Sequence, residues 1–164
     1  MDREQHVVQD AAELYAVYVM QKEAERLRVA IREESDKRYS EFRNYLSEAK
    51  YPVDSFESGK YKKYKSNADA QLPRFVQRLT KHYEGHSFSF ENVEVDFRNQ
   101  GLKGDFVIHS SSLDEAIPVS LKNYIGTGGI LRPQVGSGTF LSFAAGFVFE
   151  RVGVGTYADP RPGK

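Results

Sequence analysis

Gly101-Leu102-Lys103-Gly104-Asp105-Phe106-Val107-Ile108, followed by Ile117-Pro118-Val119-Ser120-Leu121-Lys122-Asn123-Tyr124, is the stretch that decides how this chain is read. Two short apolar runs, 106–108 and 117–121, are separated by the polar connection Ser110-Ser111-Ser112-Leu113-Asp114-Glu115. Short apolar runs bounded by Gly, Ser and Asp are strand signals. Pro118 has no N–H to give a ladder, so it belongs at the start of its strand. A glycine turn puts Asp105 at the opening of the first strand, and Lys122 closes the second, 17 residues later. If the two strands form a hairpin, the opening of one lies beside the close of the other. Asp105 and Lys122 then meet at one edge of the sheet.

Upstream, Phe88, Phe90, Val93, Val95 and Phe97 alternate, with a slip near Glu91-Asn92, and predict a further strand. Asn99-Gln100-Gly101 is a turn signal. Residues 3–50 contain no Gly and no Pro. Val7, Ala11, Leu14 and Tyr18, then Val17, Met20, Ala24, Leu27 and Ile31, recur at helical steps, and the pattern resumes at Tyr39, Phe42, Tyr45 and Leu46. A single helix of this length would run about 70 Å. The alternatives are two helices broken near Ser35, with Ser35 as N-cap, or one projecting helix that pairs with a second copy. Residues 51–67 read as a basic loop carrying Lys60-Tyr61-Lys62-Lys63-Tyr64-Lys65, and 68–83 as a helix ended by Gly85. Downstream, 126–138 is glycine-rich, 138–149 reads as a buried helix, 152–157 as a last strand and 159–164 as a loose tail. The boundaries are therefore 1–50 helical, 51–67 loop, 68–158 an α/β core and 159–164 tail, within one compact domain.

The whole chain has 164 residues, with 23 basic and 23 acidic side chains and a formal net charge of zero. A nonspecific nucleic-acid coat is usually basic, so any affinity for a polyanion must come from local patches. Without cysteine, disulfides and thiolate metal sites are excluded. No apolar run reaches the roughly 20 residues that span a bilayer, and the polar start Met1-Asp2-Arg3-Glu4-Gln5 does not read as a signal peptide. No membrane partner and a cytoplasmic location are expected.

The pairing of an acid with a lysine suits phosphodiester chemistry. A hard ion such as Mg²⁺ takes carboxylate oxygens, waters and substrate phosphate. A lysine beside it can orient water or offset charge developing on phosphate. Gly-Asp at the start of one strand and x-x-Lys on the next resembles the PD-(D/E)xK nuclease superfamily, which includes many type II restriction endonucleases. The resemblance covers about residues 86–150. It implies a restriction-endonuclease-like core, a central mixed sheet flanked by helices, with a helical N-terminal region. It also implies a metal carboxylate at Asp105, a metal-binding backbone carbonyl at Leu121, and a catalytic lysine at Lys122. Mg²⁺, with Mn²⁺ as substitute, would be the cofactor, DNA the partner, and restriction-type cleavage the activity. Gly104 replaces the proline of the pattern, and Ser120 stands where the second acid belongs. Ser120 therefore joins the catalytic set as a variant, and the missing carboxylate falls to Glu33, Glu34 or Glu41, with Glu34 carried forward as metal ligand.

Lys103, Asn123, Arg132, Gln134, Lys62 and Lys63 are the nominated nucleic-acid contacts. Arg and Gln read guanine and adenine edges, and basic runs interleaved with aromatics bind phosphates and stack on bases. The plain alternatives are that Asp105 serves a turn, that Lys122 and the Lys60–Lys65 run are solvated, and that Arg132-Pro133-Gln134 makes a turn or helix start. Ser120 lies in no Gly-x-Ser-x-Gly elbow. The glycines at 126, 128 and 129 lack the Gly-Lys-Ser/Thr of a phosphate loop. The four histidines show no zinc spacing. A second reading from another class is a non-catalytic nucleic-acid-binding or assembly module, a homodimer through residues 3–50.

Overall fold

The computed structural model describes residues 3–92, 106–111, 117–124 and 130–135, the last two stretches mainly through their backbone. In chain order it contains α1 (Arg3–Arg26), α2 (Ser35–Glu48), α3 (Val53–Ser58), α4 (Lys62–His82), β1 (Phe88–Asn92), β2 (Phe106–Ser110), β3 (Ile117–Tyr124) and β4 (Ile130–Val135). Residues 3–50 thus form two helices. Each ends without glycine. Arg28 (φ 61°) and Lys50 (φ 58°) take the left-handed conformation. In both cases the next N–H reaches back five residues, Val29 to the Ala24 carbonyl and Tyr51 to Leu46. This is the Schellman closure, which glycine usually fills.

The start of α2 corrects the sequence reading. Ser35 is the first helical residue, not the cap, and Glu34 at the cap position makes no side-chain cap bond. The cap comes from α1. Glu25 accepts the N–H of Glu34 at 2.7 Å, the N–H of Ser35 at 2.7 Å and the Ser35 hydroxyl at 2.6 Å. Burial alone would raise the Glu25 carboxyl, but bonds from Ser35, Gln21 and the two N–H groups outweigh it and hold it below the usual range. A negative charge is favoured at a helix N-terminus in any case.

Residues 51–67 are also not a loop. They contain α3 and the first turn of α4, so the helix expected over 68–83 starts at Lys62 and runs through Pro73. Gly59 closes α3 at a point where a Cβ would lie 2.4 Å from the Ser55 carbonyl oxygen. Gly85 (φ +85°) makes the expected turn after α4.

The sheet is a meander in the order β1-β2-β3-β4. All three pairings among the described residues are antiparallel; the mixed sheet implied by the resemblance would draw on a strand over 152–157 that lies outside them. β3 is longer than the predicted 117–121, and β4 occupies part of the glycine-rich stretch, so Arg132-Pro133-Gln134 is strand and neither turn nor helix start. The expected helix over 138–149, the strand over 152–157 and the tail lie outside the described residues, as do Val93, Val95 and Phe97.

One sheet face, through Phe88, Phe90, Phe106, Ile108, Ile117 and Val119, joins the core formed with the helices. α1 packs against α2, α4 and β1, which is why it is buried on more sides than one amphipathic stripe requires. Val8, Ala11, Tyr15, Ala16, Val19 and Met20 are all buried. α2 contributes the i, i+4, i+8 series Arg38, Phe42 and Leu46. α4 contributes Leu72, Phe75, Val76 and Leu79. Tyr15 donates to Asp69 at 2.6 Å and ties α1 to α4; burial and that carboxylate push its phenol well above the usual value.

The outer edge of β1 is covered. Phe88 donates to the Val29 carbonyl at 2.7 Å and accepts from Ile31 at 2.9 Å. At Phe90 side chains take over. Its N–H donates to Gln21 Oε1 at 3.0 Å, and its carbonyl accepts from Arg38 Nε at 2.9 Å. Gln21 is fully buried and also donates to the Arg32 carbonyl and to Glu25.

Two outcomes follow for stability. Gln21→Leu strands the Phe90 N–H and is expected to destabilise by about 1–3 kcal/mol in urea unfolding, with unchanged secondary structure by circular dichroism. Glu25→Gln removes a charged cap and is expected to lose about 1 kcal/mol at pH 7. Because the folded Glu25 carboxyl is held low, its contribution is present above the unfolded value of about 4.3 and disappears as pH falls through the folded value. Unfolding of both proteins from pH 7 to 3 should therefore show the gap closing in acid; a constant gap would contradict this role.

Candidate functional site

β2 and β3 form the antiparallel pair that the sequence required. Phe106 pairs with Val119, Val107 with Pro118 and Ile108 with Ile117. Phe106 is the chain neighbour of Asp105, and Val119 is the chain neighbour of Ser120. Asp105 itself and Lys103 lie outside the described residues.

The next ladder was not foreseen. Ser120 pairs with Gln134, Leu121 with Pro133, Lys122 with Arg132 and Asn123 with Leu131. Six of the residues nominated from sequence, Ser120, Leu121, Lys122, Asn123, Arg132 and Gln134, thus occupy two adjacent strands. Directly opposed residues in such a ladder have Cβ atoms about 4.5–5.5 Å apart. By the two-residue period of a strand, positions 120 and 122 alternate with Val119, which belongs to the helix-covered core. Positions 132 and 134 share their rungs. Pro133 has no N–H, so Leu121–Pro133 is a non-hydrogen-bonded rung, where a proline removes no ladder bond.

The other nominated residues lie elsewhere. Lys62 and Lys63 are exposed in the first turn of α4. Glu34 stands at the N-terminus of α2, paired with Arg38 at 2.9 Å and with Arg32 at 3.9 Å. Glu41 also pairs with Arg38, at 3.1 Å. Both carboxylates are therefore engaged at the β1 edge. β2 separates β1 from β3, a distance of two strand spacings or about 10 Å.

A polar cluster that sequence reading missed occupies this edge. Arg38 is buried at 5% exposure. Its guanidinium touches Glu34, Glu41, the Phe90 carbonyl and, at 3.8 Å, Glu91. Glu91 in turn meets His109 Nε2 at 2.5 Å across the β1–β2 ladder. Behind it Ser89 is buried, and its hydroxyl has no partner among the described residues. The local signals are slight. Arg38 falls on a helical apolar stripe, and Glu91 marks the point where the alternation slips. Among the described residues no three His, Asp or Glu side chains gather as a metal-binding group. No described helix is long and apolar enough to cross a membrane.

No protein-family model, no curated protein and no solved structure matches this chain.

Arg38→Met should destabilise by about 2–3 kcal/mol. Loss of one partner from a buried ion pair costs about 3–5 kcal/mol, and the three carboxylates around Arg38 are only partly buried. Arg38→Lys should restore less than half, since an ammonium lacks the fork that reaches carbonyl and carboxylates together. Chemical denaturation of the three proteins checks this; full rescue by lysine would show that charge alone matters.

Proposed function

We propose that this chain is a metal-dependent endonuclease acting on DNA phosphodiesters, of restriction type. The observation that supports the reading best is the β3–β4 register, which sets Lys122 opposite Arg132 and Ser120 opposite Gln134. Like charges at one rung of a ladder repel. An anion between them converts that repulsion into binding, and a phosphate is the anion that lysine and arginine hold best together. The β2–β3 register adds the second half of the argument. It pairs Phe106 with Val119, so the residues that adjoin Asp105 and Ser120 in the chain are partners.

Asp105 and the Leu121 carbonyl would hold a divalent ion. Their fit rests on the rung pattern: the non-hydrogen-bonded Leu121–Pro133 pair turns the Leu121 carbonyl away from β4 and toward β2, the strand that follows Asp105 in the chain. Mg²⁺ or Mn²⁺, when bound, supplies charge neutralisation on the phosphate and a more acidic water. Lys122 orients the attacking water and offsets the charge gained by the phosphate oxygens. Water oxygen bonds to phosphorus, and one P–O ester bond breaks. Arg132 would anchor the phosphate and Gln134, on the same sheet face, would meet a base edge or sugar, whereas position 123 falls on the opposite face.

One observation favours a second reading. Two of the three carboxylates that could replace the missing second acid, Glu34 and Glu41, are held by Arg38, and the third, Glu33, is exposed. A chain that binds nucleic acid without cutting it would be built this way.

Plasmid cleavage by the wild type and by Lys122→Ala, each in Mg²⁺, Mn²⁺ and EDTA, separates the two. Cleavage is expected with either metal and not in EDTA. It should fall by about 10²–10³ in the variant, the effect of removing one transition-state donor. Folded wild-type protein that binds plasmid yet never cuts it would replace the nuclease reading with the binding module.

A further inference from the structure

In a chain of zero net charge, α4 carries six Lys or Arg against a single Asp. That Asp69 is taken by Lys65 at 2.8 Å and by Tyr15. Four of the five remaining basic residues are not scattered. At about 100° per residue, Lys63, Arg74, Arg78 and Lys81 fall within about 60° of one another around the helix axis. All four are exposed. The opposite face carries the buried Ala68, Leu72, Phe75, Val76 and Leu79. Lys63, Arg74 and Lys81 enter no ion pair among the described residues.

We infer that the outer face of α4 is a docking surface for the phosphate backbone of duplex DNA. The surface is a row of cations from Lys63 to Lys81, about 27 Å along the helix. A helical turn of B-DNA is about 34 Å, so one face of the duplex can engage the full row. A basic helix can instead lie on an anionic membrane, but it then buries its apolar face in the bilayer. The apolar face of α4 is already spent on the core. The charge thus meets a rigid polyanion without exposing any apolar surface. α4 also packs near β4, the strand that carries Arg132 and Gln134. The choice of DNA as the polyanion rests on the nuclease reading; the row of cations does not depend on Asp105 or Lys122.

The test is fluorescence anisotropy of a labelled 24-base-pair duplex in EDTA, across a series of KCl concentrations. It compares the wild type, Lys63→Gln/Arg74→Gln/Lys81→Gln, single Arg74→Gln, and the charge-matched control Lys22→Gln/Lys37→Gln/Arg43→Gln on α1 and α2. Each lost phosphate contact lowers the slope of log affinity against log salt by about 0.9. The α4 triple variant should lose a slope of about 2–3 and more than about tenfold in affinity at 0.1 M salt. Arg74→Gln should lose about 1 in slope, and the control should match the wild type. Equal binding by the α4 variant and the control overturns the inference. So does a folded wild type that ignores the duplex, and vesicles of phosphatidylserine and phosphatidylcholine bound through the same lysines in its place would assign the face to membranes. Lys122→Ala is included to keep the two proposals apart. Loss of cleavage with intact duplex binding supports both, whereas wild-type binding by the α4 triple variant sinks only this one.

Discussion

The outer edge of β1 is the constraint on which the rest of this structure depends. A strand edge presents unpaired N–H and carbonyl groups that invite a foreign strand or strand their hydrogen bonds. Here the α1–α2 connection covers Phe88 as a short parallel strand would, and Gln21 and Arg38 finish the work at Phe90. Those two side chains come from different helices. Their positions can be satisfied together only if α1, the connection and α2 hold their present angle to the sheet. Glu25 fixes that angle from the helical side, because its carboxylate caps α2 while also accepting from Gln21. Helix pair and sheet are therefore joined by hydrogen bonds whose loss leaves buried polar groups unpaired, a heavier penalty than loss of equivalent apolar contact.

That dependence explains which parts of the fold were legible in the sequence. Elements with a local cause were read well. The hairpin strands around Phe106–Ile108 and Ile117–Leu121 announce themselves by short apolar runs, and Gly85 announces the end of α4 by its positive φ. Elements fixed by distant partners were misread. The ends of α1 and α2 use Arg28 and Lys50 in a conformation that usually signals glycine, so the residues carry no punctuation. Ser35 has the chemistry of a cap but gives its hydroxyl to Glu25, ten residues away. The basic run 60–65 resembles a solvated loop, yet Tyr61 and Tyr64 pack against the core and draw Lys62–Lys65 into a helix. β4 was hidden by its glycine-rich surroundings and by Pro133, which suits an edge strand.

The candidate site divides along the same line. Asp105 and Lys122 were nominated because a hairpin brings the two ends of its strands together, and the β2–β3 pairing is of that kind. The pairing of Arg132 and Gln134 with β3 could not be drawn from that logic, since it required knowing that the next segment returns alongside that strand. Once it does, residues nominated separately for catalysis and for base reading share rungs. The Arg38–Glu91–His109 cluster had no comparable cue, because its members come from α2, β1 and β2 and meet only in three dimensions.

Placement of opposed cations at the Lys122–Arg132 rung also bears on how such a sheet tolerates its own charge. A ladder built only for stability would put opposite charges or apolar groups at directly opposed positions. Two cations there weaken the pairing of β3 with β4 unless an anion joins them. The Arg38 cluster shows the other solution within the same chain: a buried guanidinium surrounded by three carboxylates of the protein itself. The first arrangement sets two cations at one rung of the β3–β4 register, and the second is closed by the protein's own carboxylates. A protein that balances 23 basic against 23 acidic residues overall has acids enough to neutralise both places. Three carboxylates gather at the β1 edge, whereas Lys63, Arg74 and Lys81 on the outer face of α4 enter no ion pair among the described residues, so the distribution of charge bears on the proposed anionic partner in a way that its sum does not.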